Sequence, residues 1–417
     1  MLNMVTMNSI KIKCRMCNSS NLNLFLDLGH VPKVDTFLSF DDINQPETTY
    51  PLNVHLCQDC GLSQLGYLVP ATELFNETYA YESSTTQSRR ENHCQLADYV
   101  CNNFNIKKNS LVVDIGSNVG VLLECFKKND MTVMGVDASS NIVKKANLNG
   151  IDTILGFFSE SIVSDILKTN DKASVICATN VFAHIQDYES FILALKKLLA
   201  TDGIFVFQVP HFLRLLENTE YDTIYHEHIS YFGLKPLIKF FSKHDLELFD
   251  VIETDIDGGS IRCFVSNKDQ YPLSSNVSKI LDEEEKNQIY SLDKLHNFAD
   301  TVKQQKQELI ELLVQLKQEN KKVVGVGAPA KGITMINYCK IDSDLLEYIT
   351  EKAPLKIDKF TPGMHIPIVS DEYLLKDMPD YALIFAWNFS KEIIKNLKSY
   401  QDKGGKFIIP IPTPKIT

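Results

Sequence analysis

The sequence has no excess of basic residues and no long apolar run. Among its 417 residues, 42 are lysine or arginine and 53 are aspartate or glutamate, which gives a net charge of −11. A general nucleic-acid binder carries a basic excess, so the charge argues against that class of protein. No apolar run approaches the length of a membrane span, and residues 1–14 lack the apolar core of a signal peptide. We therefore expect a cytoplasmic protein with neither nucleic-acid nor membrane partners.

The sequence also lacks internal repeats and low-complexity segments. A chain of 417 residues is too long for one ordinary hydrophobic core. Changes in pattern along the chain divide it into three segments, at residues 1–75, 76–254 and 255–417. We expect a monomer with one domain for each segment.

Two Cys-x-x-Cys pairs dominate the first segment. Cys14 and Cys17 form one pair, Cys57 and Cys60 form the other, and 39 residues separate the pairs. In a long cytosolic chain this spacing is more typical of metal ligands than of disulfides. Four thiolates complete the tetrahedral coordination of zinc and leave no open position, so we predict a structural zinc site. Ordinary buried cysteines or a redox pair are the alternatives.

Short β-branched runs alternate with helical patterns through the middle segment. The predicted strands cover residues 111–116, 131–137, 175–179 and 203–209, and the predicted helices include 119–128 and 139–149. Strands that alternate with helices form a mostly parallel, doubly wound sheet. We therefore predict an α/β, Rossmann-like middle domain. In the first segment, the alternating run at 50–56 predicts a strand.

A glycine-containing turn, Asp114–Gly120, follows the first of these strands. Gly116 allows the backbone to turn tightly beside a ligand, and Asp137, at the end of the next strand, can accept both hydroxyls of a ribose. Asn118 replaces the middle glycine of a dinucleotide fingerprint. Asp114 would repel a pyrophosphate but can pair with the amino group of a methionine moiety. The turn therefore favours S-adenosylmethionine, with a nicotinamide or flavin nucleotide as the alternative.

Other residues extend this predicted cofactor site. Ser117 belongs to the same turn. Phe157 or Phe158 can stack on the adenine, although either could instead pack in the core. Asn180 follows the third strand, where the sulfonium of the cofactor should lie.

Histidines gather in the sequence beyond the third and fourth strands. His184 lies four residues after Asn180, and the run Tyr225-His-Glu-His228 follows the fourth strand. Acid–base chemistry, a metal site and a structural hydrogen-bonded cluster all remain open. A helical metal pair needs two or three intervening residues, and only one separates His226 from His228. These two side chains would point the same way on a strand and apart on a helix.

The third segment begins with a long polar helix, predicted over residues 281–320. Its apolar stripe consists of Leu309, Leu312, Leu313 and Leu316. We expect a surface or interdomain helix, with a coiled coil as the alternative. A second glycine-rich turn, Val323–Gly332, then opens another small α/β unit. Its Lys331 is a candidate phosphate ligand or a solvated turn lysine.

Several motifs follow one another in a familiar order. After the four cysteines come Tyr79–Ser84, Asp114–Gly120, Asn180–His184, Tyr225–Tyr231, Gly325–Gly332, Pro362–Pro367 and Ala386–Phe389. Over nearly its whole length the chain resembles the sugar C-methyltransferases that act at C-3 of nucleotide-linked 4-keto-deoxyhexoses. The resemblance implies a Rossmann-like S-adenosylmethionine-dependent methyltransferase domain. A small N-terminal zinc-binding domain and a C-terminal α/β Rossmann-like domain would flank it.

The resemblance also implies site residues. His228 is expected to be the general base, with Tyr225, Glu227, His184 and Tyr79 around the reacting carbon. The residues expected to hold the nucleotide sugar are Tyr79, Tyr81, Ser83, Ser84, Lys331 and Gly332. One departure is Asp358, where such proteins often carry glycine.

The implied reaction is chemically reasonable. A 4-keto group acidifies the C-3 proton, and a histidine can remove it near neutral pH. The enolate oxygen then needs a donor, for which His184 and Tyr79 are candidates, while Glu227 could orient an imidazole. The alternatives are an O- or N-methyltransferase of a polysaccharide or natural product, and a non-enzymatic zinc-binding scaffold.

Overall fold

The computed structural model describes residues 12–75, 77 and 87–417 of the chain. The strands are β1 (Leu22–Val31), β2 (Tyr50–Cys57), β3 (Ser63–Leu65), β4 (Leu111–Ile115), β5 (Thr132–Asp137), β6 (Thr153–Leu155), β7 (Ala173–Thr179), β8 (Leu199–Pro210), β9 (Ser230–Tyr231), β10 (Leu246–Thr254), β11 (Ser260–Asn267), β12 (Val323–Val326), β13 (Ile349–Glu351), β14 (Ile368–Ser370), β15 (Tyr381–Ile384), β16 (Lys406–Ile409) and β17 (Lys415–Ile416). The helices are α1 (Ala71–Leu74), α2 (Gln87–Asn103), α3 (Val121–Lys128), α4 (Ser140–Leu148), α5 (Glu160–Ile166), α6 (Tyr188–Leu198), α7 (Phe212–Glu217), α8 (Leu234–Lys243), α9 (Ser275–Lys286), α10 (Leu292–Gln318), α11 (Ala330–Cys339), α12 (Glu372–Asp377), α13 (Ser390–Asn396) and α14 (Lys398–Asp402).

The central sheet has the order β10-β11-β8-β7-β4-β5-β6. Strands β4 to β8 are parallel, and β11 pairs antiparallel with both β8 and β10. The four predicted strands and both predicted helices are present, so the α/β, Rossmann-like prediction is confirmed. Because β11 lies inside this sheet, the sheet continues past residue 254, where a domain boundary was expected.

The N-terminal sheet has the order β1-β2-β3-β9 and is antiparallel. The strand predicted at 50–56 is β2. Strand β9 comes from the chain after the central sheet, and its Ser230 and Tyr231 pair with β3. This pairing places the Tyr225–His228 run next to the N-terminal module.

The C-terminal sheet has the order β14-β13-β12-β15-β16-β17, and every pair is parallel except the last. It forms the second, smaller α/β unit that the sequence predicted. The polar helix predicted at 281–320 is instead two helices, α9 and α10, which residues 287–291 separate. The apolar stripe of α10 packs on β1, β12 and α11, so α10 is an interdomain helix rather than part of a coiled coil. Among the described helices, none combines the length and apolarity needed to cross a bilayer.

Candidate functional site

A cavity of about 1010 Å³ lies between the central and C-terminal sheets. Residues at or just beyond the carboxyl ends of strands in both sheets line it, among them Gly116, Asp137, Asn180, Gly327, Glu351 and Ala386. The carboxyl ends of parallel strands share one edge of a sheet, and open α/β sheets bind ligands there. The two glycine-rich turns predicted from the sequence therefore belong to one site.

The turn after β4 is shaped by Gly116 and Asp114. Gly116 has φ +66°, and a Cβ there would lie 2.4 Å from the Val181 side chain, so glycine is required on both counts. Asp114 is buried, and its Oδ1 has no hydrogen-bond partner among the described residues. Burial, reinforced by the nearby Asp137 carboxylate, raises the pKa of Asp114 to about 8. An orphaned buried carboxyl of this kind is suited to a cationic ligand group.

The Asp137 carboxylate holds the turn in place. It accepts hydrogen bonds from the backbone N–H groups of Asn118 at 3.0 Å and Ser139 at 2.9 Å. Burial raises its pKa, and these two N–H groups oppose the shift. Asn118 has φ +50°, a left-handed conformation that asparagine tolerates better than most residues. The buried hydroxyl of Ser117 has no partner within the described chain.

These groups fit S-adenosylmethionine. The Asp114 carboxyl can meet the amino group of the amino-acid moiety, and Asp137 lies at the ribose position of a Rossmann-like site. Both candidate aromatic residues line the cavity, and Phe157 is the more available to an adenine because it is 44% exposed. Phe158 packs against Phe191, with 5.3 Å between ring centroids.

Asn180 is held by a residue that the sequence analysis missed. It has φ +58°, and its Nδ2 donates to Oδ2 of Asp257 at 2.9 Å. Asp257 also forms an ion pair with Arg89. Burial alone would raise the pKa of Asp257, but Arg89, Lys331 and Asn180 outweigh burial and hold the pKa below its usual range. An Asp-Gly pair at a hairpin tip could have predicted this turn, but not that it faces the cavity.

His228 is held in one tautomer at the cavity wall. Its Nδ1 lies 2.8 Å from the carbonyl oxygen of Thr223, and a carbonyl can only accept, so Nδ1 carries the proton. Its Nε2 is 2.9 Å from the hydroxyl of Tyr225, from which it accepts. Burial lowers the pKa of His228 to about 4. The imidazole is therefore neutral near pH 7, with the lone pair on Nε2.

His184 stacks on His228 with 5.1 Å between ring centroids and on Phe75 with 5.6 Å. Burial, together with His228, lowers its pKa well below the usual range. Its Nε2 is buried and has no partner among the residues described. His184 therefore offers an uncommitted ring nitrogen beside the base.

Glu227 is buried at the cavity wall but is not the group that orients His228. Both ring nitrogens of His228 are engaged by Thr223 and Tyr225. The orienting group is a backbone carbonyl, because the short helix at 221–223 brings Thr223 under the imidazole. Glu227 therefore holds neither ring nitrogen of His228, and a role in orienting another imidazole stays a prediction.

His226 points away from the cavity. Its Nε2 lies 3.3 Å from the carbonyl oxygen of Pro51, and its ring meets Tyr50 edge-on at 5.7 Å. His226 and His228 therefore do not converge, which argues against a metal pair. In the described part of the chain, the one cluster with the geometry for a metal ion is formed by the four cysteines.

The four cysteine sulfurs lie within 4.8 Å of one another. Sγ atoms of Cys14 and Cys60 are 3.5 Å apart, as are those of Cys17 and Cys57. Zinc–sulfur bonds of about 2.3 Å in a tetrahedron place sulfurs about 3.8 Å apart, so the cluster fits zinc. With four protein ligands the site would be closed, and zinc would supply stability rather than chemistry.

Lys331 and Gly332 differ in their positions. The Nζ of Lys331 is buried at the cavity, 4.8 Å above the ring of Trp387. Gly332 does not line the cavity. A Cβ on it would lie 2.7 Å from that of Phe385, so its role is to let α11 pack closely on the sheet. Packing thus accounts for the glycine at 332, and its expected contact with substrate stays a prediction.

Two further expectations concern loops. Tyr79, Tyr81, Ser83 and Ser84 lie outside the described residues. Asp358 has φ +61°, a left-handed conformation that glycine adopts freely and aspartate tolerates. Its N–H still donates to the carbonyl oxygen of Ile368 at 3.0 Å. The departure from glycine is thus accommodated without loss of the local hydrogen bond.

Comparison with known families assigns each part of the chain. Residues 14–75 match the family described as “Putative zinc binding domain”, residues 88–251 match “Methyltransferase domain”, and residues 255–412 match “C-methyltransferase C-terminal domain”. With the central sheet, the cavity and the cysteine cluster, these matches define an S-adenosylmethionine-dependent methyltransferase with a zinc-binding module. Both cofactor predictions are thereby confirmed.

Comparison with individual proteins narrows the class. The chain is 33% identical over 405 residues to the C-methyltransferase NovU of Streptomyces niveus, covering 97% of this chain and 96% of that protein. The chain belongs to this C-methyltransferase family.

More distant similarities are confined to part of the chain. An ubiquinone biosynthesis O-methyltransferase of Bartonella quintana is 28% identical over 98 residues, 23% of this chain and 40% of that protein. Among solved structures, magnesium protoporphyrin IX methyltransferase from Synechocystis PCC 6803 with bound SAH is 12% identical. It covers 45% of this chain and 90% of that one, with a TM-score of 0.35.

Proposed function

We propose that this C-methyltransferase moves a methyl group from S-adenosylmethionine to C-3 of a nucleotide-linked 4-keto-6-deoxy sugar. The observation that carries the proposal is the state of His228. It is a neutral, half-buried imidazole with its lone pair on Nε2, and it lines the same cavity as the Asp114–Gly120 turn. Transfer to carbon needs a carbanion equivalent, and a base beside the methyl donor supplies one.

The base acts first. Nε2 of His228 takes the C-3 proton, and the electron pair of the C–H bond becomes the enolate of the 4-keto group. Substrate would displace the Tyr225 hydroxyl from Nε2, which leaves that hydroxyl free to donate to the sugar. The Thr223 carbonyl remains bonded to Nδ1–H and stabilises the imidazolium that forms.

The enolate oxygen needs donors in a site from which water is excluded. His184 offers its Nε2, which has no partner in the described part of the chain, provided that this nitrogen carries the proton of the neutral ring. Tyr79 is the second candidate. In this proposal both act on the oxygen rather than on C-3.

The residues at the ends of β4, β5 and β7 would hold the methyl donor in the same cavity. Asp114 would pair with its amino group, Asp137 would accept from its ribose, Phe157 would stack on its adenine, and Asn180 would lie beside its sulfur. The bound cofactor supplies an electrophilic methyl group with a good leaving group. The protein must also align the two substrates, because C-3 and the methyl must face each other in line.

Product analysis tests the proposal. Purified protein would be incubated with S-adenosylmethionine and with dTDP-, GDP- or CDP-linked 4-keto-6-deoxyhexoses, and the products analysed by NMR. We expect a new methyl carbon bonded to C-3 for one of these nucleotides. A methyl group on oxygen or nitrogen would support the alternative acceptor class and would contradict the carbon assignment.

A further inference from the structure

Lys331 carries an uncommitted ammonium group inside the site. Among the described residues its buried Nζ has no hydrogen-bond partner. It lies over the ring of Trp387, 4.8 Å from the centroid, and lines the same cavity as His228 and Tyr225. A cation that is removed from water and not paired costs free energy, so such a group is typical of a site that meets an anion.

One short segment links this lysine to the base. The indole Nε1–H of Trp387 donates to Oδ2 of Asp222 at 2.7 Å, and the Asp222 side chain is fully buried. The next residue, Thr223, accepts from Nδ1–H of His228 through its carbonyl. Asp222 therefore holds the indole that lies under Lys331, and the next residue holds the imidazole of His228. Because these two residues are adjacent in the chain, the positions of Lys331 and His228 are linked.

The acidic groups near Lys331 are Glu220, Asp222 and Asp257, and within the described residues none of them forms a hydrogen bond with its ammonium group. Burial raises the pKa of Glu220 to about 7 and that of Asp222 to about 6, and in both cases Lys331 opposes the shift. Each of these carboxylates accepts from another donor, Asn218 and Trp387 respectively. The ammonium therefore keeps its donors free.

We propose that Lys331 is a catalytic residue whose ammonium stabilises the negative charge on the C-4 oxygen of the enolate. This inference rests on the proposed function and deepens it. The C-3 proton goes to His228, while Lys331 only donates a hydrogen bond, so no proton leaves the lysine. The C-terminal domain would then supply a catalytic cation as well as binding the nucleotide.

The position of Lys331 favours this role over that of a phosphate ligand. Lys352 also lines the cavity, and its side chain is 73% exposed. A highly solvated pyrophosphate is better matched by an exposed cation than by one that is sequestered on an indole ring. Lys331 is instead tied to the segment that holds the base.

Exchange of the C-3 hydrogen separates the two roles. The 4-keto sugar nucleotide, deuterated at C-3, would be mixed with protein and S-adenosylhomocysteine, and loss of deuterium followed by NMR. For Lys331→Met we expect exchange at saturating sugar to fall about 100-fold, the effect of removing one donor to an oxyanion. The affinity for dTDP, GDP and CDP should change less than threefold. Trp387 is the sole tryptophan, so its fluorescence reports that binding.

A matched control is Lys306→Met. Lys306 also lies over an aromatic ring, 4.4 Å from the centroid of Tyr338, but does not line the cavity. The Lys306→Met variant should exchange the C-3 hydrogen at the same rate as the wild type. If Lys331→Met is unstable by thermal melting, Lys331→Arg keeps the charge and should retain at least a tenth of the exchange.

The outcomes are distinguishable. Wild-type exchange at C-3 together with full exchange by Lys331→Met would overturn this inference alone. A nucleotide affinity lowered tenfold or more, with exchange at saturation unchanged, would identify a phosphate ligand and also overturn it. If the wild type neither exchanges nor methylates any of the three sugars, the proposed function fails and the inference fails with it.

Discussion

Two glycine-rich turns face each other across one cavity and share a backbone plan. Each follows the first strand of a parallel unit and leads into a helix, β4 to α3 in one case and β12 to α11 in the other. Each is followed by an acidic residue at the end of the next strand, Asp137 or Glu351. In both, backbone N–H groups hold that carboxylate. The backbone alone therefore does not distinguish the two ligands.

The side chains at the turns differ in chemistry, since one is an acid and the other is a base. The first turn presents Asp114, a buried carboxyl without a partner in the described chain, and the second presents Lys331, a buried ammonium likewise without one. A carboxyl suits the cationic amino group of the methyl donor, whereas an ammonium suits an anion. Two similar α/β turns can therefore bind the two substrates of one reaction through a single buried ionisable side chain in each turn.

The largest effect should come from the base that lies between the turns. His228→Gln removes the proton acceptor but leaves both turns, so we expect turnover to fall about 10³-fold, within the range for loss of a general base. Calorimetry should find S-adenosylmethionine affinity within a few-fold of the wild type. If turnover were unchanged in this variant, His228 would not be the general base.

The natural control is the neighbouring histidine. His226 bonds to Pro51 and lies outside the cavity lining. His226→Asn should keep turnover within a few-fold. Equal losses for the two variants would mean that the run Tyr225–His228 acts as a structural unit.

Replacing one glycine in each turn by alanine compares how strictly the two turn backbones require glycine. Gly116→Ala combines a positive φ with a 2.4 Å clash against Val181 and should destabilise the protein by about 3 kcal/mol. Gly327→Ala has φ +78° but nothing closer than 3.7 Å, so about 1 kcal/mol is expected. Urea unfolding measures both. Equal losses would show that the clash at Gly116 relaxes without cost.

Asp114→Asn tests the charge of the first turn. The pKa of Asp114 is about 8 without ligand, so at pH 7 the carboxyl is mostly protonated. A cationic amino group lowers that pKa, so binding should release a proton. We expect the variant to bind S-adenosylmethionine about tenfold more weakly, near 1.4 kcal/mol, and to release none.

Calorimetry in two buffers of different ionisation enthalpy measures the release. Asp165→Asn, on an exposed helix position paired with Lys168, is the control and should bind like the wild type. Unchanged proton release in Asp114→Asn would assign the proton to another group.

The smallest effect concerns stability and pH. Burial lowers the pKa of both His93 and His226 to about 4, below the unfolded value near 6.5. The unfolded chain therefore binds more protons than the folded chain, and the free energy of unfolding should fall as pH drops from 6.5 towards 4. His226→Asn should reduce the loss between pH 7.5 and 5.5 by about 1 kcal/mol. An identical loss in variant and wild type would show that His226 is not protonated on unfolding.

Sequence reasoning predicted the parts of the site that depend on local pattern. The cysteine spacing and the turn at Asp114–Gly120 are short motifs whose geometry follows from chain connectivity. Contacts between residues that are far apart in the sequence produce no local motif of this kind. Asp257 meets Asn180 across 77 positions, and Asp222 meets Trp387 across 165. Folding alone brings such residues together, which is why the pattern of the chain did not reveal them.

The same limit applies to the direction of side chains. The sequence placed His226 and His228 together, and only the contacts with Pro51 and Thr223 separate an outward ring from one at the cavity. Gly332 is the converse case. Its position in a glycine-rich motif indicated a ligand contact, whereas packing against Phe385 accounts for it.

The most direct test of the central claim follows the fate of the C-3 hydrogen during turnover. A 4-keto-6-deoxyhexose nucleotide deuterated at C-3 would be converted with S-adenosylmethionine, and the product and solvent analysed by NMR and mass spectrometry. We predict that one deuterium is lost to solvent for each methyl group transferred. A methylated product that keeps its C-3 deuterium would contradict it.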